Sequence, residues 1–157
     1  MITDPEFRAA MSRLAGGVTI VTTRDLAGRP HGLTVTSFTS LSADPPLALF
    51  CIHKQTYSHY AFFERQAFVV SILSEDQEEI SRQFADPVMD KFVRVDLVDT
   101  EIGLPGIAGS LAVLECRVVQ HYDGGDHTII IGEIDGAQLS DGYPLVYFRG
   151  EYQRLAR

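Results

Sequence analysis

The chain has 157 residues, 45% of them hydrophobic and 22% charged, which suits one domain burying about two-thirds of its unfolded surface around a single core. Its formal net charge of −8 excludes broad binding to a nucleic-acid backbone, because such readers need a basic face to release counterions. Apolar runs such as LALFCI at 47–52 fall far short of the roughly 20 residues that span a bilayer, and the start MITDPEFRAAMSRL lacks the basic and apolar regions of a signal peptide. The expected location is therefore the cytoplasm. Cys51 and Cys116 stand far apart with no CxxC pattern, as packed thiols in a reducing compartment do.

Thr3 and Glu6 form a capping-box pattern and Pro5 suits a first turn, so a helix is expected to open the chain, with Phe7, Met11 and Leu14 at helical spacing and Gly16 and Gly17 as its stop. Residues 18–24, VTIVTTR, are rich in β-branched side chains, and DLAGRP supplies turn residues before a second strand beginning near His31. The stretch HGLTVTSFTSLSADPPL at 31–47 reads as a strand loaded with hydroxyls and free of full charge between His31 and Asp44. Pro45 and Pro46 interrupt pairing, and LALFCIHK forms a strand whose continuous apolar run implies burial on both faces.

SHYAFFER makes a short helix capped by Ser58, and AFVVSIL a strand; Ser74 with Gln77 resembles a second capping box opening a helix through about Phe84. Residues 86–110 are irregular and read as a long loop, a length often tied to function. Two long strands follow, LAVLECRVVQHY and HTIIIGEIDGAQL, joined by the turn sequence DGGD, and PLVYFRG at 144–150 gives a last strand. Strands joined mainly by hairpins, without βαβ alternation, imply a mainly β fold: an antiparallel barrel with a few short helices covering its openings.

Chemistry is sparse. The five histidines include no HExxH cluster, and Cys51 with His53 on one strand face is too small a set for a metal. No GxSxG elbow, GxGxxG loop or P-loop occurs, and Cys116 and His121 fall on opposite faces of a regular strand. What remains are three pieces. Thr34, Thr36 and Ser37 offer neutral donors and acceptors to the edge of a flat, uncharged heteroaromatic ring; as strand formers they also suit a solvated sheet face. Lys54, Thr56 and Ser58 at a helix start suit an anion. Asp126 can orient His127 at the mouth of the barrel, and Gly132 inside a strand marks a bulge or a close backbone approach.

These pieces fall in a colinear set: FRAAMSRLAGGVTIVTT, GLTVTSFTSLSADPPLALF, QTYSHYAFF, AFVVSIL, DKF, LECRV and GDHTIIIGEI. The set spans nearly the whole chain and resembles the short-chain flavin reductases, the reductase components of two-component flavin-dependent monooxygenases. The resemblance implies a single FMN-binding split β-barrel of Greek-key type over residues 1–157, usually a homodimer. In such proteins NADH or NADPH reduces FMN or FAD, and reduced flavin diffuses to a partner monooxygenase. It further implies that Thr34, Val35, Thr36 and Ser37 border the isoalloxazine with Ser40 and Leu41 close by, that Lys54, Thr56 and Ser58 meet the ribityl phosphate, and that His127 is the catalytic residue where nicotinamide stacks. Thr36 stands where the family often has Asn, and Thr56 with Ser58 where Ser followed by Thr is commoner; both changes keep a hydrogen-bonding group. Two alternatives stay open: a split-barrel protein that binds flavin without turnover, and a flavoprotein acting directly on an organic substrate.

Overall fold

The computed structural model describes residues 1–87 and 90–157. Helix α1 (Asp4–Met11) opens with the expected reciprocal cap, Glu6 N–H donating to Thr3 Oγ1 and Thr3 N–H to Glu6 Oε2 at 2.8 Å. The helix buries no residue: Phe7 and Met11 are exposed, as is Leu14 beyond its end. It ends at Ser12 rather than at the glycines, which instead form β1 (Gly16–Gly17).

The β-branched run becomes β2 (Thr19–Arg24), paired as an antiparallel hairpin with β3 (Pro30–Val35) from Thr19↔Val35 to Arg24↔Pro30. The hydroxyl-rich stretch is not one strand. It breaks after Val35 and resumes as β4 (Thr39–Ala43), which pairs with β5 (Pro46–His53). Ser37 makes the break: its Oγ accepts from Cys51 N–H at 3.0 Å and donates to the Cys51 carbonyl at 3.2 Å, replacing a backbone ladder step with a side chain. Strand β5 alternates, with Ala48, Phe50 and Ile52 buried and Leu47, Leu49, Cys51 and His53 half-buried, so only one face is closed where two were expected.

Helix α2 (His59–Arg65), β6 (Ala67–Ile72) and α3 (Glu78–Ala85) follow as expected, although the N-cap of α3 is Gln77 and not Ser74, whose N–H donates to Gln77 Oε1. The long loop carries two short strands, β7 (Leu97–Val98) and β8 (Gly106–Ile107), that pair with each other. Long strands β9 (Ala112–Gly124) and β10 (His127–Leu139) form the central hairpin, with Gly125 at positive φ in its turn. The last strand expected at 144–150 is the shorter β11 (Val146–Phe148), which pairs on one side with β1 and on the other with an additional strand just beyond it, β12 (Glu151–Gln153).

The main sheet has seven antiparallel strands in the order β3-β2-β6-β9-β10-β5-β4. Its two outer strands are consecutive in the chain and joined by residues 36–38 alone, which draws the ends together and curls the sheet into the antiparallel barrel the sequence implied. Phe50 fills the interior edge-on to Phe62 and Phe68, at 5.5 and 5.0 Å between ring centroids. Gly132 shows both expected features, a register shift beside Ile131 and an approach so close that a Cβ would lie 2.6 Å from Phe68 Cζ. The same bulge lets Val119 slip out of the pairing, which reverses alternation along β9 and puts His121 on the face of Cys116, against expectation. Cys116 itself is buried, and burial pushes its thiol up to about 12, so it is no nucleophile.

Candidate functional site

The end of β3 and the following residues line two clefts. The first, about 650 Å³, is bounded by Thr34 and Thr36, by Ser81 and Arg82 of α3, and by Tyr147 and Tyr152 of the C-terminal hairpin. The second, about 710 Å³, is lined by Met11 and Leu14 at the end of α1, by Thr36, Ser37 and Thr39, and by Tyr147. Thr36 and Tyr147 belong to both. Volumes of this size hold ligands of cofactor dimensions, and the threonines contribute uncharged hydrogen-bonding groups of the kind the sequence suggested.

Within this frame each predicted residue has a definite place. Thr34 is half-buried and its hydroxyl donates to the Ser81 carbonyl at 2.6 Å, while Thr36 is exposed. Val35 points into the core at 5% exposure and its carbonyl accepts from Thr19 Oγ1 at 2.7 Å, so its side chain lies away from the clefts. Ser37 is committed to Cys51. Ser40 and Leu41 are exposed on the outer strand β4, where a register shift sets Leu41 outside the pairing.

A second group gathers at the far end of β5. His127 faces His53 across the β5–β10 ladder, their rings 5.0 Å apart and edge-on. Asp126 accepts a hydrogen bond from His127 Nδ1 at 2.7 Å, the orientation expected from the sequence, and this bond is the main cause holding the Asp126 carboxyl below its ordinary range. Lys54 does not stand free: its ammonium pairs with Asp123, and its backbone N–H donates to the Asp126 carbonyl at 2.9 Å. Thr56 N–H donates to the His53 carbonyl at 3.0 Å, folding the loop back toward the hairpin.

Ser58 departs from its expected use as a cap. No side-chain bond caps α2, because Ser58 is buried and its Oγ lies 3.0 Å from His31 Nδ1. His31 Nε2 in turn lies 3.0 Å from Asp25 Oδ2, which also accepts from Tyr60 OH at 3.0 Å and Arg29 Nε at 2.9 Å. The His31 bond is the leading cause holding the Asp25 carboxyl well below the usual carboxylate range, and burial together with Asp25 pushes the Tyr60 phenol up to about 12. Ser58 and His31 open on a third cleft of about 340 Å³, shared with Arg29, Tyr57 and Lys91. Burial lowers the Lys91 ammonium, whose Nζ donates to the Gly32 carbonyl at 3.0 Å.

Asp25, His31, Lys91 and Tyr147 were not singled out from the sequence. The first two flank the β2–β3 turn, where His31 pairs with Thr23 and so lies diagonally across from Asp25, and that was the available signal. Among the described residues no group of three or more His, Cys, Asp or Glu could hold a metal, and no helix is long and apolar enough to cross a membrane.

Comparison with known proteins places this geometry. Residues 11–156 match the flavin reductase like domain. Actinorhodin polyketide dimerase of Streptomyces coelicolor is 40% identical over 149 residues, covering 94% of this chain and 84% of that protein. The reductase component of 4-nitrophenol 4-monooxygenase/4-nitrocatechol 2-monooxygenase of Rhodococcus opacus is 40% identical over 147 residues, covering 94% and 78%. Among solved structures, the NADH:FAD oxidoreductase of Streptomyces globisporus in complex with NAD and FAD fragments superposes with a TM-score of 0.92 at 38% identity, covering 99% of this chain and 97% of that one. The chain therefore belongs to the flavin reductase like domain family.

Proposed function

We propose that this protein is an NAD(P)H-dependent flavin reductase, reducing FMN or FAD and supplying the reduced flavin to a partner monooxygenase. One observation carries the reading: the hydroxyl-bearing residues Thr34, Thr36, Ser37 and Thr39 line two adjoining clefts in a chain that aligns from end to end with a reductase of that kind. The residues fit the cofactor, since a neutral heteroaromatic ring needs orientation by uncharged groups, which Thr34 and Thr36 offer. Ser58, Thr56 and Lys54 would meet the phosphate. When bound, nicotinamide and flavin would themselves supply the hydride-transfer chemistry, which asks the chain for no nucleophile or metal. Its own work is positioning. His127, oriented by Asp126, would sit against the nicotinamide, and Ser40 and Leu41 would border the ring from β4.

The protein would act as a single-domain homodimer in the cytoplasm. The exposed apolar residues Phe7 and Met11 on α1, Leu14 just after it, and Leu41 on an outer strand support pairing of two copies. Anaerobic mixing with each combination of FMN or FAD and NADH or NADPH tests the activity: the flavin's blue absorption band should bleach, and no bleaching in any of the four overturns the reading. A second reading, direct action on an organic substrate, is favoured by the likeness to the polyketide dimerase. It requires flavin to stay with the protein through gel filtration, whereas a reductase that releases its product should lose it.

A further inference from the structure

We infer that His31 and Asp25 are positioning residues for the flavin phosphate, and that phosphate binding at Ser58 draws a proton onto His31. This rests on the flavin reading above and concerns what that reading leaves unused: a buried serine, histidine and aspartate in series, at 6%, 6% and 3% exposure, opening on the third cleft.

Proton accounting fixes the direction of each bond. An ionised Asp25 can only accept, so the His31 Nε2 beside it carries a hydrogen. In the neutral ring Nδ1 is then an acceptor, and the Ser58 hydroxyl must donate to it. Ser58 in this state turns its proton inward and shows only lone pairs to the cleft, the wrong face for a phosphate oxygen. If His31 gains a proton, Nδ1–H donates to Ser58 Oγ and the hydroxyl hydrogen is released toward the cleft. The same proton places a positive charge one hydrogen bond from the anion. An anion on Ser58 and a proton on His31 therefore favour one another, and the linkage is reciprocal.

The surroundings of His31 are fixed by several elements. Asp25 and Arg29 come from the β2–β3 turn, and Tyr57 and Tyr60 approach from the α2 side with rings 5.8 and 5.4 Å from the imidazole. Asp90 and Lys91 line the same cleft from the loop after α3. Asp25 is already saturated with donors and does not change its charge, so it holds the ring in one orientation while Nδ1 changes role. Lys91 is the other basic side chain lining the cleft, its Nζ donating to the Gly32 carbonyl.

Riboflavin isolates the effect, since it carries the same ring without the phosphate. Calorimetric titration of the whole protein near pH 7.5, where the FMN phosphate is mainly a dianion, in buffers of different ionisation enthalpy reads protons taken up per flavin bound. FMN should bind with net proton uptake and riboflavin with none, and FMN affinity should fall as pH rises from 7 to 8, by at most about tenfold for one linked proton. His31→Gln should abolish the uptake and leave riboflavin affinity unchanged, while Ser58→Ala should bring FMN affinity down toward that of riboflavin. Uptake that persists in His31→Gln would assign the proton to Lys91 or the phosphate and overturn the inference. So would equal protonation changes for the two flavins in the unaltered protein, a result that needs no variant to fold. Failure of either flavin to bind would instead sink the flavin site itself, and this inference with it.

Discussion

His31 and His127 each lean on an aspartate, and the two pairs differ in nearly everything else. The Asp126–His127 bond is the shorter, 2.7 Å against 3.0 Å, yet its partners are 77% and 41% exposed whereas Asp25 and His31 are 2% and 6% exposed. An exposed pair competes with water, is screened by salt and loses side-chain entropy, so it constrains little. The buried pair has no such competitor, and Asp25 gathers four donors at once. Burial and bond count, not distance, decide which pair is rigid. The rigid pair suits a fixed grip, and the loose one suits a group that must make room for a departing ring.

The largest expected effect tests that contrast directly. Asp25→Asn puts an amide that can donate where only an acceptor serves, leaving buried donors unmatched, and should lower the thermal midpoint by roughly 5 °C or more. Asp126→Asn should move it by about 1 °C or less. Equal shifts in circular-dichroism melts would erase the difference. Acid adds a second arm. Because folding depresses the Asp25 carboxyl, its contribution is complete above the unfolded value of about 3.9 and is lost as pH falls toward the lower folded one. Stability of the unaltered protein should therefore decline more steeply below about pH 4 than that of Asp25→Asn.

Activity should invert the order of the two histidine pairs. Removing the His127 ring takes away the group proposed to hold the nicotinamide, and His127→Ala should slow hydride transfer on the order of tenfold or more in anaerobic stopped-flow absorbance, with little change in melting. Asp126→Asn keeps the ring and loses only its orienting bond, so a smaller slowing, about two- to threefold, is expected. An unchanged rate and unchanged nicotinamide Michaelis constant in His127→Ala would remove it from the site.

Much of the barrel was legible because its signals are local. The β-branched run at 18–24 and the DGGD turn each act within a few residues, and each appears in the structure as read. The misreadings came where a distant partner decides. One strand became two because Ser37 found Cys51, and Ser58 does not cap α2 because its hydroxyl meets His31. The Asp25–His31–Ser58 series was legible only in part: Asp25 and His31 flank one hairpin turn, but Ser58 joins them from 27 residues further along. The candidate site was thus legible in its residue types but not in its grouping, since Thr36, Ser58 and His127 lie in different parts of one barrel.

Lys54 sharpens the comparison at its weak end. From sequence it is the cation for the phosphate, yet its ammonium is paired with Asp123, a residue 79% exposed, beside the loose histidine pair rather than in the cleft of the rigid one. A surface ion pair is worth little, so Lys54→Gln should change stability by about 0.5 kcal/mol or less. To reach a phosphate the ammonium must first leave Asp123, and what it gains there is offset by what it gives up. FMN affinity relative to riboflavin should accordingly drop by only about two- to threefold, less than for Ser58→Ala, and the drop should shrink further in high salt. A loss of tenfold or more would mean that the anion is held from the β9–β10 hairpin side, with Lys54 as its main cation.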